Sequence, residues 1–258
     1  VSNDLTEQTP WQALRAFTEA RIALGRAGTS LPTREVLKFN QAHAAARDAV
    51  WTEADFAPLH SQWPDALEIR SQASNRAEYL RRPDLGRALH PHSKAVLQAL
   101  GPPTPEVLIV VGDGLSAAAL EHAPALLSAL LPLLGGLPTR LLLAHQCRVA
   151  LADEAGELLG SGCSLMILGE RPGLSSADSL GAYLTFAPRL GRQDSERNCV
   201  SNIRPGGLSM GAAAHKIAFL LRESLRRQLS GVQLKDETGR DELCKDESAK
   251  VISNESPL

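Results

Sequence analysis

The chain has few cysteines and spreads them widely. Cys147, Cys163, Cys199 and Cys244 form no C-x-x-C pair, which argues against both a zinc module and a disulfide framework. It also lacks charge of one sign: 27 Lys and Arg stand against 29 Asp and Glu, for a formal net charge of -2. No dense basic cluster is present, so nucleic acid is not an expected partner. No charged-then-apolar signal opens the sequence and no apolar run is expected to span a membrane. A soluble, intracellular protein is expected. The seven histidines are scattered and suggest no metal site. At 258 residues, a chain buries roughly 70–75% of its unfolded surface, so its core needs no staples.

What is present falls into three unlike parts. Residues 1–100 read as a mainly helical N-terminal region. Thr9-Pro10-Trp11-Gln12 has the form of a helix start, with Thr9 as cap and Pro10 where a missing N–H costs nothing. That helix is expected to carry Trp11, Leu14, Phe17 and Ile22 and to stop near Gly25 or Gly28. A second begins after Thr33 with Val36, Leu37, Phe39 and Val50, and Trp51, Trp63 and Tyr79 are candidate packing anchors. Arg81-Arg82-Pro83-Asp84-Leu85-Gly86-Arg87 reads as a turn, because proline disfavours helix at Arg82.

Residues 101–234 change character. Val107-Leu108-Ile109-Val110-Val111 is the β-branched run of a strand buried on both faces. Further strands are expected at Thr139–Ala144 and Leu165–Leu168, with helices at Pro124–Leu134, Glu154–Leu159 and Ser209–Leu229. Strands alternating with helices predict an α/β fold with a Rossmann-like parallel sheet. From Gly169 to Gly207 the composition is that of a long connection, rich in glycine, proline, arginine and serine. Ordered loops of that length are usually functional. Residues 235–258 form a charged tail, read as disordered.

Two motifs match catalytic patterns. Gly112-Asp113-Gly114-Leu115-Ser116-Ala117 fits G-x-G-x-x-A between a strand and a helix, the place of a dinucleotide fingerprint. The next strand ends in Ala144-His145-Gln146, without the acidic residue that would hold a ribose. A tight strand-to-helix turn is the simpler reading, and an independent dinucleotide-binding enzyme using this turn is the alternative function. Gly207-Leu208-Ser209-Met210-Gly211 fits the nucleophile elbow. The only histidine after Ser209 is His215, six residues on in the same helix; Ser209 is therefore read as a helix cap.

Glu170 follows a buried strand, where open α/β sheets bind ligands. On the residues alone, a Glu170–Arg171 pair holding the loop is favoured over ligand contact. Asp113 stands at the equivalent place after an earlier strand and reads as a turn-stabilising carboxylate. Cys199 reads as a small buried filler.

Taken together, VVGDGLS (110–116), GERPGL (169–174), Arg197-Asn198-Cys199-Val200-Ser201-Asn202-Ile203 and Gly206-Gly207 resemble the small (light) subunit of ethanolamine ammonia-lyase. GRAG (25–28) and RRPDLGR (81–87) fit the same family, and the resemblance covers most of residues 11–234. It implies one subunit of an adenosylcobalamin-dependent lyase that converts ethanolamine to acetaldehyde and ammonia through an adenosyl radical. The large subunit would hold the substrate and carry the radical chemistry. The small one, inactive alone, would close over the cobalamin at the subunit interface. The resemblance places cofactor contacts at Val149, Glu170 and Cys199, with no catalytic residue and no metal ligand in this chain. The D-x-H-x-x-G pattern that replaces the lower base with histidine is absent, which fits base-on cobalamin. The implied location is the bacterial cytoplasm. Packaging in a bacterial microcompartment stays open, since no amphipathic segment stands before Pro10.

Overall fold

A computed structural model describes residues 9–237; most of the charged tail read at 235–258 lies outside them. The chain enters through a 3₁₀ turn at Pro10–Phe17, capped by Thr9 as expected but burying none of its residues. The helix predicted through Ile22 does not form: the backbone turns extended at Thr18, and Trp11 and Phe17 stay 66% and 85% exposed. Among the described residues nothing buries its apolar face, so tertiary packing does not extend it. Helix α1 (Thr33–Trp51) is present, yet Leu37 and the expected anchor Trp51 are exposed. Tyr79, by contrast, is fully buried. Helix α2 (Ala57–Gln62) leads into strand β1 (Leu67–Arg70), which lies within the region read as helical. Helices α3 (Arg76–Arg81) and α4 (Pro91–Ala99) follow.

The next strand, β2 (Val107–Gly112), is buried along its whole length. After it come helix α5 (Ala123–Leu130), strand β3 (Thr139–His145), helix α6 (Leu151–Leu159), strand β4 (Cys163–Gly169), strands β5 (Leu180–Phe186) and β6 (Arg197–Ile203), and helix α7 (Met210–Arg227). One six-stranded sheet results, in the order β1-β3-β2-β4-β5-β6. The pairs β1–β3, β3–β2 and β2–β4 are parallel. The pairs β4–β5 and β5–β6 are antiparallel.

The α/β class therefore holds, while the all-parallel sheet does not. The tract read as a long connection supplies both antiparallel strands. Strand β5 contains Gly181 and Ala182, and β6 lies at the sheet edge with Cys199, Ser201 and Asn202 exposed and only Arg197, Val200 and Ile203 buried. Neither carries the β-branched run that marks a central strand.

Alternate residues of the central strands feed two cores. Val107, Ile109 and Val111 pack with Leu165, Ile167 and residues of α5 and α7. Leu108 and Val110 pack on the other face with Leu142, Met166 and residues of α4 and α6. The stretch Ala117–Leu134 is, against expectation, long and apolar enough to cross a membrane by length and composition. It is divided into a 3₁₀ turn, α5 and another 3₁₀ turn, with prolines near the starts of the last two. Its Ala119, Leu126, Leu127 and Leu130 lie wholly within the first core.

Candidate functional site

The carboxyl ends of β2, β3 and β4 converge on a turn made tight by glycine. Gly114 adopts φ +52°, and a Cβ there would stand 2.2 Å from the Gly169 carbonyl oxygen. A Cβ on Gly112 would overlap the Cys147 Sγ at 2.0 Å. The Leu115 N–H donates to the Gly169 oxygen at 2.9 Å. These glycines thus let β2 close against its neighbours, and the N–H of Leu115 is spent on β4 rather than offered to a pyrophosphate. That is the tight-turn reading of the G-x-G-x-x-A match.

Asp113 fixes this junction. It is buried, accepts from the Gln146 and Cys147 N–H groups at 2.9 and 3.1 Å, and pairs with Arg76 at 3.1 Å. Burial raises its pKa above the usual carboxylate range, opposed by the Arg76 charge and the two backbone donors. The turn-stabilising role expected for it is met.

Beside the junction lies a depression with two lobes. The first, about 410 Å³, is lined by Tyr79, Gly114, Arg148, Val149, Glu170 and Tyr183, among others. The second, about 620 Å³, shares Arg148, Val149, Arg171 and Tyr183 with the first and adds Arg87, Ala150, Asp194, Arg197 and Cys199. Val149 follows β3 in the lead to α6, Glu170 follows β4, and Cys199 sits in β6 opposite Tyr183 of β5. The three residues singled out in the sequence thus line one continuous surface, at the sheet edge where α/β proteins bind ligands.

The Glu170–Arg171 pair does not form. Glu170 instead accepts from the Ser179 hydroxyl at 2.6 Å and the Asn202 N–H at 3.1 Å through Oε2, and from the Ser201 hydroxyl at 2.5 Å through Oε1. A carboxylate has about four lone-pair sites, so one stays available after these bonds tie the loop before β5 to the end of β6. Cys199 is exposed, not a buried filler. Desolvation raises its thiol pKa, with hydrogen bonding to Tyr183 acting in the opposite direction.

The sequence reading missed the arginines. Arg148 lies over the Tyr79 ring at 4.6 Å, and its Nε is buried without a hydrogen-bond partner. Tyr79 donates its hydroxyl to the Cys147 carbonyl at 2.8 Å, which holds the ring beneath that guanidinium. The available signal was position: Arg148 and Arg171 each stand just beyond the end of a parallel strand. Ser209, as expected, caps α7, accepting from the Ala212 N–H at 3.3 Å. His215 hydrogen-bonds the Gly211 carbonyl at 2.8 Å in the same helix, so no nucleophile elbow is assembled.

The fold and this rim define an α/β protein that presents an open, mixed polar and apolar surface at the carboxyl edge of its parallel strands. Residues 8–235 match the model of the ethanolamine ammonia-lyase light chain family, and the chain belongs to that family. A Pseudomonas putida protein described as ethanolamine ammonia-lyase small subunit is 50% identical, with 96% of each chain covered. A protein of the same description from Azotobacter vinelandii is 52% identical over 89% of each chain. A Bradyrhizobium diazoefficiens relative is 50% identical, covering 92% of this chain and 95% of its own.

Proposed function

We propose that the chain is the small subunit of an ethanolamine ammonia-lyase, covering adenosylcobalamin against a large subunit that holds ethanolamine and performs the chemistry. One observation carries the reading: Val149, Glu170 and Cys199, separated in sequence, line one depression at the carboxyl edge of the sheet. The donor set suits the cofactor. Cobalamin presents amides, a ribose and a phosphate around an apolar macrocycle. The depression offers a carboxylate with a free lone pair, the arginines Arg148 and Arg171, and walls from Val149, Leu168 and Tyr183.

When bound, adenosylcobalamin supplies the radical initiator. This chain's residues bind and orient. Glu170 accepts from an amide or hydroxyl while its other bonds keep the loop in place. Val149 and Cys199 pack close and limit water at the rim. The location consistent with this role is the bacterial cytoplasm.

The purified chain should release no ammonia from ethanolamine by itself. Mixed with the large subunit and adenosylcobalamin, it should restore release. Equal activity of the large subunit with and without this chain would overturn the proposal. More finely, Glu170→Gln should weaken cobalamin binding to the assembled enzyme by about 1–3 kcal/mol, the range for hydrogen bonds to a charged group. An unchanged affinity with a lower melting temperature would assign Glu170 to the loop alone.

A further inference from the structure

The donors that hold Glu170 differ in kind. The Ser179 and Ser201 hydroxyls turn about their own bonds, whereas the Asn202 N–H has a direction set by the backbone. That backbone is unusual. Asn202 adopts φ +58°, in the left-handed region that residues with a side chain rarely enter. Such a conformation persists where its surroundings over-determine it, and it gathers at functional sites.

The turn that follows β6 supplies those surroundings. The Asn202 carbonyl accepts from the Leu208 N–H at 2.8 Å, and its side-chain Oδ1 accepts from the Arg204 Nε at 2.9 Å. Gly206 and Gly207 clear the space for both residues. A Cβ on Gly206 would stand 2.5 Å from the Arg204 Nη1, and one on Gly207 would stand 2.4 Å from the Asn202 carbonyl oxygen.

Arg204 is in turn held by a residue remote in sequence. Its Nη2 pairs with Glu19 at 2.9 Å, with 12% of the arginine side chain exposed. Glu19 belongs to the segment between the first 3₁₀ turn and α1. Two residues on, Arg21 donates to the Leu174 carbonyl at 3.2 Å, in the loop that Glu170 opens. The N-terminal segment thus ties both flanks of Glu170, although neither Glu19 nor Arg204 lines the depression.

We propose that Arg204 is a positioning residue for the cofactor contact at Glu170, and that the N-terminal segment sets it through Glu19. The inference rests on the reading that Glu170 meets cobalamin, and adds what keeps its carboxylate in a productive direction. Without Arg204, the Asn202 side chain loses its tether and the backbone relaxes out of the left-handed region. Its N–H then leaves Glu170 to two rotating hydroxyls. A guanidinium suits the place because its planar fork donates to Asn202 and Glu19 at once, which an ammonium on a flexible stem does not reproduce.

The test is a double-mutant cycle, read by spectroscopic titration of adenosylcobalamin into the complex with the large subunit. Arg204→Gln should weaken binding about three- to tenfold, the worth of one net hydrogen bond. In the Glu170→Gln background the same change should cost less than about twofold, because residues that act through one contact are not additive. A full loss in that background would make Arg204 independent of Glu170 and overturn the proposal. A lower melting temperature with unchanged affinity would overturn it too.

Glu19→Arg keeps the question answerable if Arg204→Gln does not fold, since Glu19 is 61% exposed. Repulsion in place of the pair should weaken cobalamin binding about two- to fivefold; wild-type affinity would remove the N-terminal segment from the role. At Asn202, glycine enters the left-handed region freely and alanine does not. Asn202→Gly should therefore bind more tightly than Asn202→Ala, and equal affinities would reject the backbone route. Glu170→Gln separates the two levels of inference. Loss of affinity there but not in Arg204→Gln leaves the cofactor reading standing and removes the positioning role, whereas no loss in Glu170→Gln removes both.

Discussion

Two cavities open on the same edge of the sheet and use opposite electrostatics. One, about 460 Å³, lies where β1, β3 and β2 end and gathers Glu53, Glu68, Arg70, Arg76, Asp113 and His145. Its charges are largely answered from within. Glu68 holds both His60 and His145, at 2.7 and 2.8 Å, and Asp113 holds Arg76. The other, the arginine lobe beyond β3 and β4, leaves Arg87, Arg148 and Arg171 without a carboxylate among the described residues. Where pairs close within the chain, the polar groups serve the fold. Where the charges stay open, they face solvent and are free to meet a group from outside the chain.

The sharpest break of this contrast is at Asp113, in the balanced cavity. Asp113→Asn would leave the Arg76 guanidinium buried and unpaired, and would turn an amide N–H₂ toward one of the two backbone donors that Asp113 now accepts. Breaking a buried ion pair from one side costs about 3–5 kcal/mol. For a domain of this size that corresponds to a melting temperature lower by roughly 10 °C, measurable by calorimetry. A change of a degree or less would mean that Arg76 finds water or another acceptor, and that the pairing is not structural.

The division between paired and open charge also marks what the sequence could reveal. Strands β2, β3 and β4 were legible because burial on both faces demands continuous apolar runs such as Val107–Val111. Strands β5 and β6 were not: β6 is an edge strand with polar residues exposed and no regular alternation, and β5 spends glycine where Glu170 packs against Gly181, so both read as connection. Glu170 could be picked out by its place after a buried strand. Val149 and Cys199 came from resemblance alone, having no chemistry that marks them. The arginines carried a signal of position only, beyond the ends of parallel strands, because being unpaired is a property of three-dimensional placement. Arg197 and Arg148 are equally basic in the sequence, and only the fold gives one of them Asp153.

A smaller effect tests the balanced cavity through pH. His145 and His60 hold the Glu68 carboxyl below its ordinary range, mainly by hydrogen bonding. A carboxyl whose folded pKa is depressed contributes stability that is complete above its unfolded value, about 4.3. That contribution is lost as pH falls through the folded value. Because Glu68 is half exposed, the gain is that of a surface pair, about 0.5 kcal/mol. Glu68→Gln should therefore lower stability slightly at pH 6 and converge on the wild type below about pH 4. Parallel stability curves down to acid would show that Glu68 does not sense these histidines.

The smallest effect falls on the open lobe, and there its sign matters more than its size. Arg171 and Arg87 are exposed and hold no carboxylate among the described residues. Replacing either with Gln should therefore change the stability of the isolated chain by no more than about 0.5 kcal/mol, as for surface substitutions generally. Any change should be toward greater stability, because like charges near Arg148 and Arg197 are thinned. Adding salt should shrink even that gain, since screening relieves the same repulsion in the wild type. A clear loss of stability in Arg171→Gln would mean that the guanidinium is anchored within this chain after all. The contrast between the two cavities would then be one of degree, and the open charge would no longer point outward.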